Sequence, residues 1–458
     1  MVYIIYTDER KGDRKMSVDT EVSVSGGELF REQYMYKHPP VSQINTAFKF
    51  SDEDKAVLRR LAEKQAEIAE RDDMKWKKKL WTENHDLKST YPVIFVDPEN
   101  GWNEILTDEV FECKDPLART WENTLRKNIF SAEMIRDDRV ITKDFDVPWY
   151  YTDDGFGIEP KIEFTGQKGG SYHVLPAIED YEEDFPKMHF PEITVDPVKS
   201  QMVMDLAKDT FGDILNCRFS MKWHWADDFL NEFVAFRGME EFMCDFVLEP
   251  EWITRMMTFM IDGIEKRFDK LEEQGYLSLN NDSTYLGTGG QGYTTALPDL
   301  DPDGKVRTKN MWVTLQAQET VSCNPDQFGE FILPHFKRLA KRFGLAHYGC
   351  CEPYNVRWKY LKEIPNLRHV SVSPWADFKT IPEYLGHDYI ASVKLKPTPL
   401  AMPNMNEEVV RRDCRRAVEE TYGGICEFVM KDNHTIGNNP DNLIRWTQIM
   451  REEIERKY

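Results

Sequence analysis

The chain has 458 residues, and 59 basic against 80 acidic side chains leave a net charge of −21 at neutral pH. That balance excludes attachment to a nucleic-acid backbone or an anionic membrane surface, both of which need clustered positive charge. A 41% hydrophobic and 12% aromatic composition is enough for a large core. No long uncharged apolar run occurs, and the opening MVYIIYTDERKGDRK has no secretory apolar region, so a cytoplasmic protein is expected.

Residues 1–90 read as an N-terminal extension with one long helix. Its run SDEDKAVLRRLAEKQAEIAERDDMKWKKKLW starts at an N-cap, Ser51, with Glu53 and Asp54 in the first turn and a mostly charged surface laid against the body. Residues 91–458 form the second unit. YPVIFVDPENGW gives a strand and turn, and a polar, Asp/Gly-rich stretch from Thr142 to Pro191 reads as a long irregular insertion, a lid or substrate loop. A helix then begins near Pro250 and stops at Gly275. YLSLNNDSTYLGTGG supplies a strand with a glycine-rich end, MWVTLQAQETVS another, and the next helix starts at Asn324-Pro325. LAHYGCCEP, LRHVSVSPWAD, YIASVKLKPTPLA and ICEFVMKD continue the strands, with helices between the later ones and at the end.

Strand–helix alternation with short loops signals parallel βαβ units. The expected fold is α/β, a (β/α)8 TIM barrel with an N-terminal extension and a long irregular insertion. No GxGxxG follows a strand and no GxxxxGK[ST] is present, which removes the dinucleotide-binding sheet and the P-loop. Functional groups of such a barrel sit at the C-terminal strand ends. Those ends here carry Asn280, Asn281 and Asp282, Glu319, the His347–Glu352 cluster, Trp375 with Asp377, and Asp432-Asn433-His434.

Eight cysteines (Cys113, Cys217, Cys244, Cys323, Cys350, Cys351, Cys414 and Cys426) form no CxxC pair, and most read as buried thiols. His347, Cys350, Cys351 and Glu352 offer all three zinc donor types in one loop, with Glu319 and His434 in reach from neighbouring strand ends. His347 and Cys350 share an ion only if the chain turns at Gly349. The competing reading is a hydrogen-bonded core histidine beside packing cysteines. Asp282 is a proton donor or acceptor, or else a turn cap. Trp223, Trp225, Trp312, Tyr348 and Trp375 wall an aromatic pocket, or else belong to the ordinary core.

FRGMEEFMCDFVLEPEWITRMMTFMIDGIEKRF followed by LNNDSTYLG resembles the uroporphyrinogen decarboxylase-like superfamily. AHYGCCEP…IPNLRHVSVSPWAD with DPLARTWENTLRKNIF is similar to one branch of it, the methyltransferases of corrinoid-dependent O-demethylase systems in anaerobic bacteria. The likeness covers roughly Tyr91 to the C-terminus. It implies demethylation of a small aryl methyl ether, with the methyl group passed to the Co(I) corrinoid (cobalamin) of a separate corrinoid protein docked over the barrel mouth. Zinc, or an acid such as Asp282, would stabilise the phenolate leaving group. Related methyltransferases bind zinc through His-x-Cys and a distal Cys. Here the spacing becomes His347-x-x-Cys350 and the distal position falls on His434, so the implied ligand set is Glu319, His347, Cys350 and His434. Methyl transfer from a corrinoid to a thiol or tetrahydrofolate, decarboxylation, and a non-catalytic scaffold are the alternatives.

Overall fold

The computed structural model describes residues 49–164, 172–222 and 229–458. Twelve strands are described: β1 (Val93–Val96), β2 (Asp144–Pro148), β3 (Tyr151–Asp153), β4 (Lys161–Phe164), β5 (Tyr172–Leu175), β6 (Ile193–Val195), β7 (Asn216–Ser220), β8 (Trp312–Leu315), β9 (Leu345–Tyr348), β10 (Leu367–Val372), β11 (Ile390–Lys394) and β12 (Ile425–Met430). Six of them form one parallel sheet in the order β1-β12-β11-β10-β9-β8, and β2 pairs with β7, also in parallel. The chain is therefore an α/β protein. β1, β8, β9, β11 and β12 are buried at every position, as parallel strands covered on both faces must be. Helices such as Leu333–Arg342, Glu407–Thr421 and Asp441–Lys457 intervene between the later strands or follow them.

The register fixes which side chains meet. Glu427 lies opposite Val93 on one side and Ser392 on the other, while His347 lies opposite Thr314 and His369. Two sheet edges are finished by side chains instead of strands. Asp138 and Asp137 accept from Ile94 N and Val96 N, each at 2.8 Å, on the free edge of β1. On the free edge of β8, Asn280 accepts from Trp312 N at 2.9 Å and donates to Trp312 O at 3.0 Å.

Three expectations change. The single long helix is two, Asp52–Ala69 and Asp72–His85, with Ser51 Oγ capping the first by accepting from Asp54 N. The second helix is no surface element, because Trp81 and His85 are fully buried and Asn84 Nδ2 donates to Cys426 O at 3.0 Å. The insertion after Thr142 holds β2, the antiparallel pair β4–β5, and β3, which pairs antiparallel with β6 just beyond Pro191. Third, YLSLNNDSTYLGTGG makes no strand: Asn280 bonds to the edge of β8, and Gly289 and Gly290 lie against His369 and Trp81. The helix Pro250–Gln274 does end at Gly275, whose φ of 75° suits glycine.

Asn280→Ala leaves a buried N–H and C=O of Trp312 unpaired. We expect a loss of about 3 kcal/mol, read as a lower urea midpoint at unchanged slope. Among the described residues no helix is long and apolar enough to cross a membrane.

Candidate functional site

Two clusters of ionisable side chains meet in the sheet. The first lies where β1, β9 and β12 end. Lys431, one residue beyond β12, is buried with Nζ 3.3 Å from both Glu99 Oε1 and Asp432 Oδ1. Burial alone would lower its pKa, but Cys350, Tyr285, Glu99 and Asp432 outweigh that and hold it well above the ordinary lysine value. The side chain stays a cation. Glu99 and Asp432 both have left-handed backbone, φ 48° and 60°, a strain that tends to gather at functional positions. Cys350 and Cys351 are free thiols with Sγ atoms 3.7 Å apart, the second exposed. The contact between them pushes Cys351 down and Cys350 up, so Cys351 is the more acidic thiol.

Burial, together with the charges of Asp97 and Asp432, pushes Glu99 up to about 7 against the pull of Lys431. A carboxyl raised in the fold keeps its proton while the unfolded chain loses it. Stability is then full below pH about 4.5 and falls as pH rises towards 7. Glu99 is one-third exposed, so the slope is shallow. It should vanish in Glu99→Gln when unfolding midpoints are followed from pH 4 to 8, a window set by those two values.

The second cluster lies on the inner face of the sheet and is wholly buried: His85, His347, His369, Glu427, Ser392 and Lys394. His85 Nε2 stands 3.6 Å from Glu427 Oε2, and His369 Nε2 3.1 Å from Glu427 Oε1. Ser392 Oγ donates to Glu427, and Lys394 Nζ donates to Ser392 Oγ at 2.6 Å. Burial pushes His369 and His347 below the usual imidazole range and Lys394 down to about 7. Thr288, Gly289 and Gly290 run through this cluster. Thr288 Oγ1 meets His347 Nε2 at 2.6 Å, and a Cβ on Gly289 would lie 2.2 Å from His369 Cε1.

The residues singled out from sequence are dispersed between and around these clusters. Glu319, His347, Cys350 and His434 form no group whose ligand atoms are mutually close; the one such group among the described residues is His85, His369 and Glu427. Gly349 does turn, with φ 101°, but His347 is spent below it: Nε2 faces Thr288 and Nδ1 faces His369 Nδ1. Both ring nitrogens of His347 are thus occupied by hydrogen-bond partners within the core. Glu352 bridges two loops by accepting from Ala317 N and Cys350 N, each at 2.9 Å. Glu319 is buried in the turn after β8, and His434 is exposed.

Asp282 is an ion-paired carboxylate that also caps a turn by accepting from Thr284 N at 2.9 Å. Burial raises it, but Lys222 at 3.1 Å and Arg218 at 2.6 Å draw it below the ordinary carboxylate value. Trp312 and Tyr348 are fully buried, the first donating to Gly292 O at 3.0 Å and the second packed against Phe328 and Phe336. Trp375 is 70% exposed, and Trp223 and Trp225 lie outside the described residues. Sequence reasoning missed Glu99, Lys431, Lys394, His85, His369 and Glu427. The buried charges inside apolar strand runs, as in ASVKL and CEFVM, were the available signal.

The run Asp432-Asn433-His434-Thr435-Ile436-Gly437 has the Asp-x-His-x-x-Gly spacing of corrinoid-anchoring loops, which the expectation of a separate carrier leaves out of account. Here it is the connection from β12 to the last helix, tied down by Glu104 Oε2, which accepts from Ile436 N and Asn438 N.

No family model matches the chain, and no curated protein matches it. Among solved structures it is similar to a methyltransferase from Methanosarcina mazei, at 11% identity and a TM-score of 0.44, over 82% of this chain and 98% of that one.

Proposed function

We propose that the chain is a methyltransferase on a closed (β/α)8 barrel that demethylates a small aryl methyl ether at its C-terminal mouth. The reading is supported by the six-stranded parallel sheet, by the separate parallel pair β2–β7, and by Asp138 and Asn280, whose side chains bond to the free edges of β1 and β8. The observation that carries the reading is Lys431. It is a buried cation at the strand ends, where a barrel works on its substrate.

In this proposal the methyl acceptor would be a Co(I) corrinoid carried by a separate protein. The chain's part is the other half of the displacement. As the C–O bond breaks, its electron pair moves to the phenolic oxygen, and the Lys431 ammonium neutralises that charge in a site of low dielectric. Glu99, near neutrality in its titration, is placed to give that oxygen a proton. Glu319, His347, Cys350 and His434 do not converge on an ion, so no step passes through zinc there. Val321, Val356, Trp375 and Met402 are exposed on the four successive loops after β8, β9, β10 and β11. Such an apolar rim supports docking of a partner protein over the mouth.

The test is single-turnover methylation of free cob(I)alamin by a panel of aryl methyl ethers, followed optically with the purified chain. Substrate-dependent loss of the Co(I) spectrum is expected. No methylation with any ether sinks the proposal, and stoichiometric cobalamin binding by the chain itself would place the carrier here instead.

A further inference from the structure

We propose that His85, His369 and Glu427 bind one divalent first-row transition metal, zinc-like in its donor set, at the floor of the barrel. This site stands or falls without the methyl-transfer reading.

The three side chains are fully buried, and one ligand atom from each lies within 4.8 Å of the others. Neither ring nitrogen of His85, nor Glu427 Oε2, has a hydrogen-bond partner among the described residues. Buried polar atoms left so are costly unless something joins them. Metal–nitrogen and metal–oxygen bonds of about 2.0–2.2 Å in a tetrahedron set neighbouring ligand atoms roughly 3.4 Å apart. The nearest nitrogen–oxygen separations here, 3.6 Å from His85 to Glu427 Oε2 and 3.1 Å from His369 to Glu427 Oε1, are close to that edge, each nitrogen facing its own oxygen of the one carboxylate.

Proton placement points the same way. Thr288 Oγ1 donates to Gly349 O at 2.5 Å, so it accepts from His347 Nε2. His347 Nδ1 then carries a lone pair and accepts from His369 Nδ1. That leaves the lone pair of His369 Nε2 aimed at the Glu427 carboxylate, a repulsive arrangement unless a cation stands between them. A hydrogen bond on the far nitrogen of a ligating histidine is the usual way its tautomer is fixed for a metal. Gly290 brings backbone against the same place, since a Cβ there would lie 2.7 Å from Glu427 Oε2. Trp81 and Trp312 close the site, with ring centroids 5.2 and 5.7 Å from that of His85. A proton on His369 is the rival occupant, and it would bind no metal.

The experiment uses the full chain, stripped with a chelator and titrated with Co(II). Expected are one bound equivalent, the visible bands of four-coordinate Co(II) without thiolate charge transfer, and a higher unfolding temperature with Zn(II). Cys350→Ser/Cys351→Ser keeps all three readouts. The near-isosteric Glu427→Gln and His85→Ala lose them, and Thr288→Val binds about 10–100-fold more weakly because the relay is broken. A wild-type chain that takes up no stoichiometric Co(II) overturns the proposal whatever the variants do. So does metal retained undiminished in folded Glu427→Gln, or lost with the two cysteines.

Discussion

Replacing Lys431 with methionine is expected to slow methyl transfer from an aryl methyl ether to cob(I)alamin by about 10²–10³-fold, the loss typical of removing one preorganised charge donor at a developing oxyanion. The length of the side chain is kept and only the cation goes. The effect is large because the charge is prepaid: the ammonium is already buried, and acids on both sides hold it protonated. Two carboxylates then face each other across an apolar side chain. Glu99, which loses the pull of Lys431, should therefore titrate higher, and the slope of stability with pH should steepen. Rate loss without a change in pH dependence would mean that the side chain acts by packing alone. Unchanged single-turnover rates in a folded variant would remove Lys431 from the chemistry and leave the proposed reaction without its leaving-group cation.

Much of the fold is legible because its signals are local. Ser51 before an acidic first turn, Pro250 opening a helix, Gly275 closing it and Asn324-Pro325 opening another each need only a few neighbouring residues to act. The apolar runs of β8 to β12 are equally plain, being covered on both faces. What failed depends on contacts distant in sequence. Leu277–Ser278–Leu279 alternates like a strand, yet Asn280 binds the edge of β8 through its side chain and Thr288 to Gly290 turn inward. The candidate site suffered in the same way. His347 stands out in the sequence, but whether it faces an ion or a threonine depends on a loop some sixty residues earlier. His85 comes from a helix that reads as a charged surface element, although the structure buries Met74, Lys77, Leu80, Trp81, Asn84 and His85 along one of its faces. Periodicity says which residues are buried together, not which distant ones they meet.

Gly290→Ala should then be among the most damaging single-methyl changes in the chain. An alanine Cβ would lie 1.9 Å from Trp81 Cη2 and 2.7 Å from Glu427 Oε2. The indole cannot swing aside cheaply, because its Nε1 donates to Asp138 O at 2.7 Å and the ring is wholly buried against His85 and Phe95. Moving Glu427 would pull it from Ser392 and His369. Overpacking a core usually costs 1–3 kcal/mol, and with both neighbours fixed the loss should be about 3 kcal/mol or more. Gly304→Ala is the contrast. It has φ 71° but nothing within 4 Å of the added carbon, so it carries only the backbone term of about 1 kcal/mol. Urea midpoints at equal slope separate the two. If Gly290→Ala unfolds no earlier than Gly304→Ala, the glycine loop is not seated against Trp81 and Glu427, and the close backbone approach that frames the histidine–glutamate cluster is lost with it.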